Sequence, residues 1–256
     1  MFEAHIEELA GLVQRARRAV VFSGAGISTE SGIPDFRSPG GYWTKFKPIH
    51  FDEFMSSEEK RLEAWRRFLV IRRTIADARP GLGHLAVARL VALGHVASVI
   101  TQNIDGLHEG AGVPRERIIE VHGNGTYAKC LTCGLRHEIG WVREVLDATG
   151  RPPACTSCGG IVKSATISFG QPMPEQEMAD ARAATLNADL FIAIGSSLQV
   201  FPAAGLPVMA KHNRTPLVIV NREETGLDGL ADLVINAEIS GVMSALMARI
   251  VSAADH

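Results

Sequence analysis

Ala19-Val20-Val21-Phe22, running straight into Ser23-Gly24-Ala25-Gly26-Ile27-Ser28, is the stretch on which the fold turns: an unbroken apolar run, then a turn of small residues. A strand with one wet face alternates apolar and polar side chains. A continuous run instead marks a strand covered on both faces, the habit of parallel sheets sandwiched between helices. Similar runs recur at 96–100, 118–121, 165–168, 190–194, 217–220 and 233–235. Helical stretches at 82–93, 175–187 and 241–251 fall between them, and Ile6, Leu9, Ala10 and Val13 give the chain an amphipathic opening helix. The expectation is an α/β fold, a doubly wound and mostly parallel sheet. In such sheets ligands sit beyond the carboxyl ends of the strands, so the polar residues just after each run carry the functional signal.

Composition narrows the classes. The chain has 256 residues, 46% apolar and 21% charged, enough for a full core. A net charge of −2, from 26 Lys+Arg against 28 Asp+Glu, offers no basic field for nucleic-acid phosphates. The start of the chain is acidic at Glu3, Glu7 and Glu8, unlike a secretory signal, and no apolar run nears the roughly 20 residues that cross a bilayer. A soluble, cytoplasmic protein is expected.

Two stretches break the alternation. Residues 46–79, rich in charge and holding Trp65 and Phe68, read as an inserted helical segment; residues 126–164 hold every cysteine and little apolar matter. The main body is then 1–45, 80–125 and 165–256. Cys130 and Cys133 make one C-x-x-C pair and Cys155 and Cys158 the other, with 21 residues between. Two such pairs close a tetrahedral site for a structural Zn2+ ion, which orders a module too small for its own core. His137 is read as an ordinary neighbour.

The turn Gly24-Ala25-Gly26 can present backbone N–H groups to a diphosphate, but Thr29 occupies the third glycine position of a dehydrogenase fingerprint, and that rival weakens. The loop from Ser31 to Ser38 carries Asp35, Phe36 and Arg37 among breakers. After 96–100 come Gln102, Asn103, Ile104 and Asp105; after 118–121 comes His122, a candidate general base; after 190–194 and 217–220 come Gly195-Ser196-Ser197 and Asn221-Arg222.

Together these segments resemble the sirtuin family, over about residues 20 to 236. The Gly24-to-Ser38 stretch matches the family's first motif, Thr101 to His108 its second, His122-Gly123 the catalytic position, the cysteines its zinc ribbon, Phe169-Gly170 the substrate motif and Gly195 to Val200 the later nucleotide motif. Gln171 stands where Glu is common, and Ser196 where Thr is. The resemblance implies a Rossmann-like domain and an NAD-dependent protein lysine deacylase, chiefly a deacetylase. It consumes NAD as co-substrate and yields nicotinamide, O-acyl-ADP-ribose and free lysine. It also implies roles: His122 as base; Asn103 and Asp105 orienting ribose and nicotinamide; Phe36 and Arg37 closing the loop; Gly24 to Gly26 holding diphosphate; Ser196 and Asn221 serving the adenosine half. Phe169 and Gly170, with Leu198, Gln199 and Val200 opposite, bracket an acyl-lysine peptide as an added strand. ADP-ribosyl transfer and a non-catalytic NAD or acyl-lysine reader are the alternatives. Residues 46–79 lack the Tyr-x-x-Arg pair of members that prefer succinyl groups, Leu69 and Arg72 being the nearest substitute, so neutral acyl groups are expected.

Overall fold

A computed structural model describes residues 2–35, 41 and 47–254. Six strands form one parallel sheet: β1 (Ala19–Ser23), β2 (Val96–Thr101), β3 (Ile118–Glu120), β7 (Leu190–Ile194), β8 (Leu217–Val220) and β9 (Leu233–Ile235), lying side by side in the order β3-β2-β1-β7-β8-β9. All neighbours pair in parallel. The pleat of β1 sends Val21 to one side and Val20 and Phe22 to the other. On the first side Val21, Val99, Ile192 and Val218 pack under helices Phe2–Arg15, Leu82–Ala92 and Ile239–Ala254. On the second, Val20, Phe22, Phe191 and Ile219 meet Met178 and Ala181 of helix Glu175–Asn187 and Leu206 and Ala210 of helix Gly205–His212. Phe22 and Phe191 touch across neighbouring strands, centroids 5.9 Å apart. Every residue of β1, β7 and β8 is buried, as continuous apolar runs require. Each fully buried Ile, Leu or Phe in such a core contributes about 1.5–3 kcal/mol of transfer free energy.

One run goes elsewhere. Residues 165–168, expected in the parallel sheet, belong instead to the end of β6 (Val162–Thr166) and the residues after it; β6 pairs antiparallel with β4 (Gly123–Cys130), and β5 (Arg136–Glu138) completes a three-stranded sheet in the order β5-β4-β6. Only Val162 and Lys163 of β6 are buried. A half-exposed strand with Ser164 and Thr166 in it suits an antiparallel edge, not the middle of a covered sheet. The core of this smaller unit is shared: Trp65 and Phe68 of helix Glu58–Asp77 pack with Ala128, Cys130, Val142, Cys155 and Val162. Trp65 also donates its indole N–H to the Val162 carbonyl at 3.2 Å. The helical insertion thus supplies the buried aromatic side chains of this core, with Trp141 of 126–164 packing at its edge. Among the described residues no helix is long and apolar enough to cross a membrane.

Candidate active site

The strand order reverses between β1 and β7, and a cleft of about 480 Å³ opens above the carboxyl ends there. Gly24 to Gly26, Gln102 to Ile104, His122, Gly195 to Ser197 and Asn221-Arg222 all line it, each set from the end of a different parallel strand. Asp35, Phe169, Gly170 and Val200 line it too. Phe36 and Arg37 lie outside the described residues.

The glycines serve contact between loops. A Cβ on Gly24 would lie 2.7 Å from the Gly195 carbonyl oxygen, and one on Gly26 2.8 Å from the Gly195 Cα. Gly195 itself sits at φ +63°, and its Cβ would meet the Ile27 nitrogen at 2.5 Å. The Gly24 and Gly26 N–H groups donate to the Ile194 and Gly195 carbonyls. The turn Ala25–Ser31 is therefore pressed onto the β7 loop, and glycine at 24, 26 and 195 is what lets the two backbones approach so closely.

Behind this turn lies a buried polar network. Asn103 donates both amide hydrogens, to Gly24 O at 3.1 Å and to Ser28 Oγ at 3.2 Å. That leaves Oδ1 as the amide atom these two bonds do not use. Ser28 Oγ donates to Asp105 Oδ2 at 2.7 Å, and Asp105 Oδ1 accepts the Leu107 N–H at 2.9 Å. Asp105 is buried at the edge of this site, and its carboxylate orients Ser28 and, through it, Asn103. His84 takes the Gly81 N–H on Nδ1 and faces Ser28 with Nε2, while His108 Nε2 meets Ser23 Oγ at 2.8 Å. Burial drives His108 down to about 3, with the nearby His84 adding to the effect, so the ring is neutral.

His122 reaches the cleft from the turn after β3. Its Nδ1 lies 3.2 Å from the Gln102 carbonyl oxygen, which can only accept, so Nδ1 carries the hydrogen and Nε2 the free lone pair. Burial lowers its pKa, partly opposed by the Gln102 carbonyl. The ring is a neutral base at neutral pH.

Other expected residues divide. Leu198 is core, with φ +54°, and Gln199 is exposed; neither lines the cleft, while Val200 does. Arg222 pairs with Glu223 and Glu238. Sequence reading missed the cleft's other walls: Ile49, Phe68 and Ile71 from the helical insertion, and Glu238 and Ile239 at the start of the last helix. The strand-end rule that found Asn221, applied once more after β9, reaches Glu238; nothing in the chain's pattern marks Phe68 and Ile71 as facing this cleft. They also line an adjoining pocket of about 170 Å³ with Phe54, Trp65 and Lys163.

The four cysteine sulfurs lie within 4.8 Å of one another, with Cys130 to Cys158 at 3.5 Å and Cys133 to Cys155 at 3.6 Å. A tetrahedron with Zn–S bonds near 2.3 Å has edges of about 3.8 Å, so the set fits zinc and is far from disulfide length. The N–H groups of Cys133 and Thr132 point at Cys130 Sγ and bring that thiol to about 6, favouring the thiolate a metal needs.

The Sir2 family model matches residues 24–202. A protein of Rhodopseudomonas palustris named NAD-dependent protein deacetylase is 53% identical over 234 residues, 91% of this chain and 92% of that one. NAD-dependent protein deacetylase 1 of Bradyrhizobium diazoefficiens is 55% identical over 234 residues, with the same coverage of 91% and 92%. Among solved structures, Sir2 with a p53 peptide and NAD+ superposes with a TM-score of 0.84 at 34% identity, covering 95% of this chain and 97% of that chain. Sir2 bound to an acetylated peptide gives 0.85 at 32%, with the same coverage of 95% and 97%.

Proposed function

The chain belongs to the Sir2 family, and on that premise we propose how its cleft performs NAD-dependent removal of acyl groups, chiefly acetyl, from protein lysines. One observation carries the reading: a neutral imidazole with a free Nε2 shares a cleft with the small-residue turn Gly24 to Gly26 and with the Phe169-Gly170 lip.

Bound NAD supplies an electrophilic ribose carbon with nicotinamide as its leaving group. The turn Gly24 to Gly26 takes the diphosphate against backbone. Ser196 and Asn221, at the ends of β7 and β8, serve the adenosine half, together with Gly195, Ser197 and Arg222. Gln102, Asn103 and Ile104 hold the ribose and nicotinamide side, with Asn103 Oδ1 accepting from a ligand hydroxyl or amide. Asp105 acts through Ser28 and Asn103. His122 Nε2 takes the proton of a ribose hydroxyl, while the Gln102 carbonyl fixes the tautomer and shares the positive charge that develops on the ring.

The acyl-lysine enters between Phe169-Gly170 and Val200, with peptide backbone pairing along that edge. Residues 46–79 and 126–164 form one small unit over the main body of 1–45, 80–125 and 165–256, and the structural Zn2+ on Cys130, Cys133, Cys155 and Cys158 holds it. Reduced, metal-poised thiols support a cytoplasmic setting. The test is His122→Ala assayed with NAD and an acetyl-lysine peptide: turnover falls by about 100-fold or more while NAD still binds, and wild-type turnover removes His122 from the mechanism.

A further inference from the structure

Two buried polar residues that the cleft itself does not use stand symmetrically about His122. Glu120, two positions before it, is 7% exposed, and Asn124, two positions after it, is 6% exposed. They are bonded to each other across the histidine: Asn124 Nδ2 donates to Glu120 Oε1 at 2.7 Å. Each is locked from behind. Glu120 Oε2 accepts from Arg115 at 2.9 Å, and Arg115 also donates to the Ile118 carbonyl. Asn124 Oδ1 accepts from the Thr126 N–H at 2.7 Å and the Thr126 hydroxyl at 2.6 Å. With the oxygen taken by two donors and the nitrogen by a carboxylate, the amide of Asn124 has only one orientation.

The backbone between them needs such a tie. Val121 and His122 form a turn between two different sheets, and Gly123 follows at φ +74°, where a Cβ would fall 2.1 Å from the Ala165 carbonyl oxygen. Glycine is required for that approach, yet glycine is also the residue that least restricts the chain. Main-chain bonds hold the turn at its two ends, Val121 N–H to Thr101 O and Ile167 N–H to His122 O.

We propose that the Glu120–Asn124 bond is a clamp that positions His122, closing its turn across the base so that Nδ1 stays on the Gln102 carbonyl and Nε2 in the cleft. The two are positioning residues. This inference rests on His122 being the base, so the experiment includes His122→Ala.

The clamp can be broken and rebuilt without changing shape. Asn124→Asp sets a second carboxyl against Glu120 and, assayed at a pH high enough that the buried pair no longer shares a proton, opens the bond. Adding Glu120→Gln restores it in the opposite direction: the new amide at position 120 donates to the new carboxylate at position 124, its carbonyl accepts from Arg115, and Thr126 donates as before. On zinc-loaded protein, Asn124→Asp lowers kcat by about tenfold or more with KM for NAD and peptide within about twofold, since a base displaced by about 1 Å costs on the order of 100-fold. The double variant E120Q/N124D recovers kcat to within about threefold, a coupling that independent sites do not show. Wild-type kcat in Asn124→Asp, or a double variant that regains thermal stability but not kcat, overturns the clamp. If Asn124→Asp does not fold, Asn124→Ala removes the same bond without opposing charges and reads the same kcat loss. Turnover retained in His122→Ala sinks the base assignment instead; turnover lost there but kept in the Asn124 variants sinks the clamp alone.

Discussion

His122 Nδ1 lies 3.2 Å from the carbonyl oxygen of Gln102, a contact that decides the tautomer of the ring, while burial sets the direction in which its pKa moves. Because burial holds the imidazole below its usual 6.5, with the Gln102 carbonyl opposing, the free-base form persists into more acidic solution than for an exposed histidine. The acid limb of kcat/KM therefore has its midpoint below 6.5. A pH profile with saturating NAD checks it, and a midpoint above 6.5 contradicts the environment described.

The zinc site and the aromatic core of the small unit are one structure, since Cys130 and Cys155 pack in the cluster that holds Trp65. Cys130→Ala or Cys158→Ala is expected to release the metal and to change Trp65 fluorescence together with activity, because a site worth roughly 10–16 kcal/mol is lost when a ligand is removed. Elemental analysis of fresh protein is expected to show one zinc per chain; metal-free, fully active protein contradicts this.

Lys163 is buried, donates to the Thr166 carbonyl at 2.6 Å, and is brought by burial from 10.5 to about 7. Between those values the unfolded chain holds a proton that the folded one has released, so stability rises with pH; below 7 both forms are charged and the penalty is constant. From pH 7 to pH 9 the gain is about 2 kcal/mol relative to Lys163→Met. Urea denaturation of both proteins at the two pH values measures it, and parallel pH dependence rules it out.

Phe68 and Ile71, one helical turn apart, are the side chains of helix Glu58–Asp77 that face the cleft, so the positions from which an acid-binding pair could act are both apolar. Arg67 reaches only the side pocket and is paired with Glu63. Acetyl- and butyryl-lysine peptides are expected to exceed succinyl-lysine by at least about tenfold in kcat/KM, the scale of leaving a buried carboxylate without its partner. Equal rates for succinyl would show that another cation reaches the acyl group.

The sheet was legible because strands covered on both faces are written as unbroken apolar runs: 190–194 and 217–220 match β7 and β8 residue for residue. The cleft residues were legible for the same reason, as polar groups at strand ends. What failed to show is what depends on packing between distant segments. Residues 165–168 looked like another covered strand because a short run carries no record of which sheet it joins. The bond from Ser28 to Asp105 could not be read from the chain, because it forms only when the turn after β2 lies against the β1 loop. In the motif whose Gly195 to Ser197 and Val200 line the cleft, Leu198 turns into the core at a left-handed backbone and Gln199 is exposed.

The most direct measurement of the central claim is product balance. An acetyl-lysine peptide and NAD are incubated with the zinc-loaded protein, and all products are identified by mass. The account predicts one nicotinamide and one O-acetyl-ADP-ribose for each lysine freed, with none of the three formed when either reactant is omitted. NAD cleavage that leaves the acetyl-lysine intact, or a peptide carrying ADP-ribose instead of a free lysine, would contradict it.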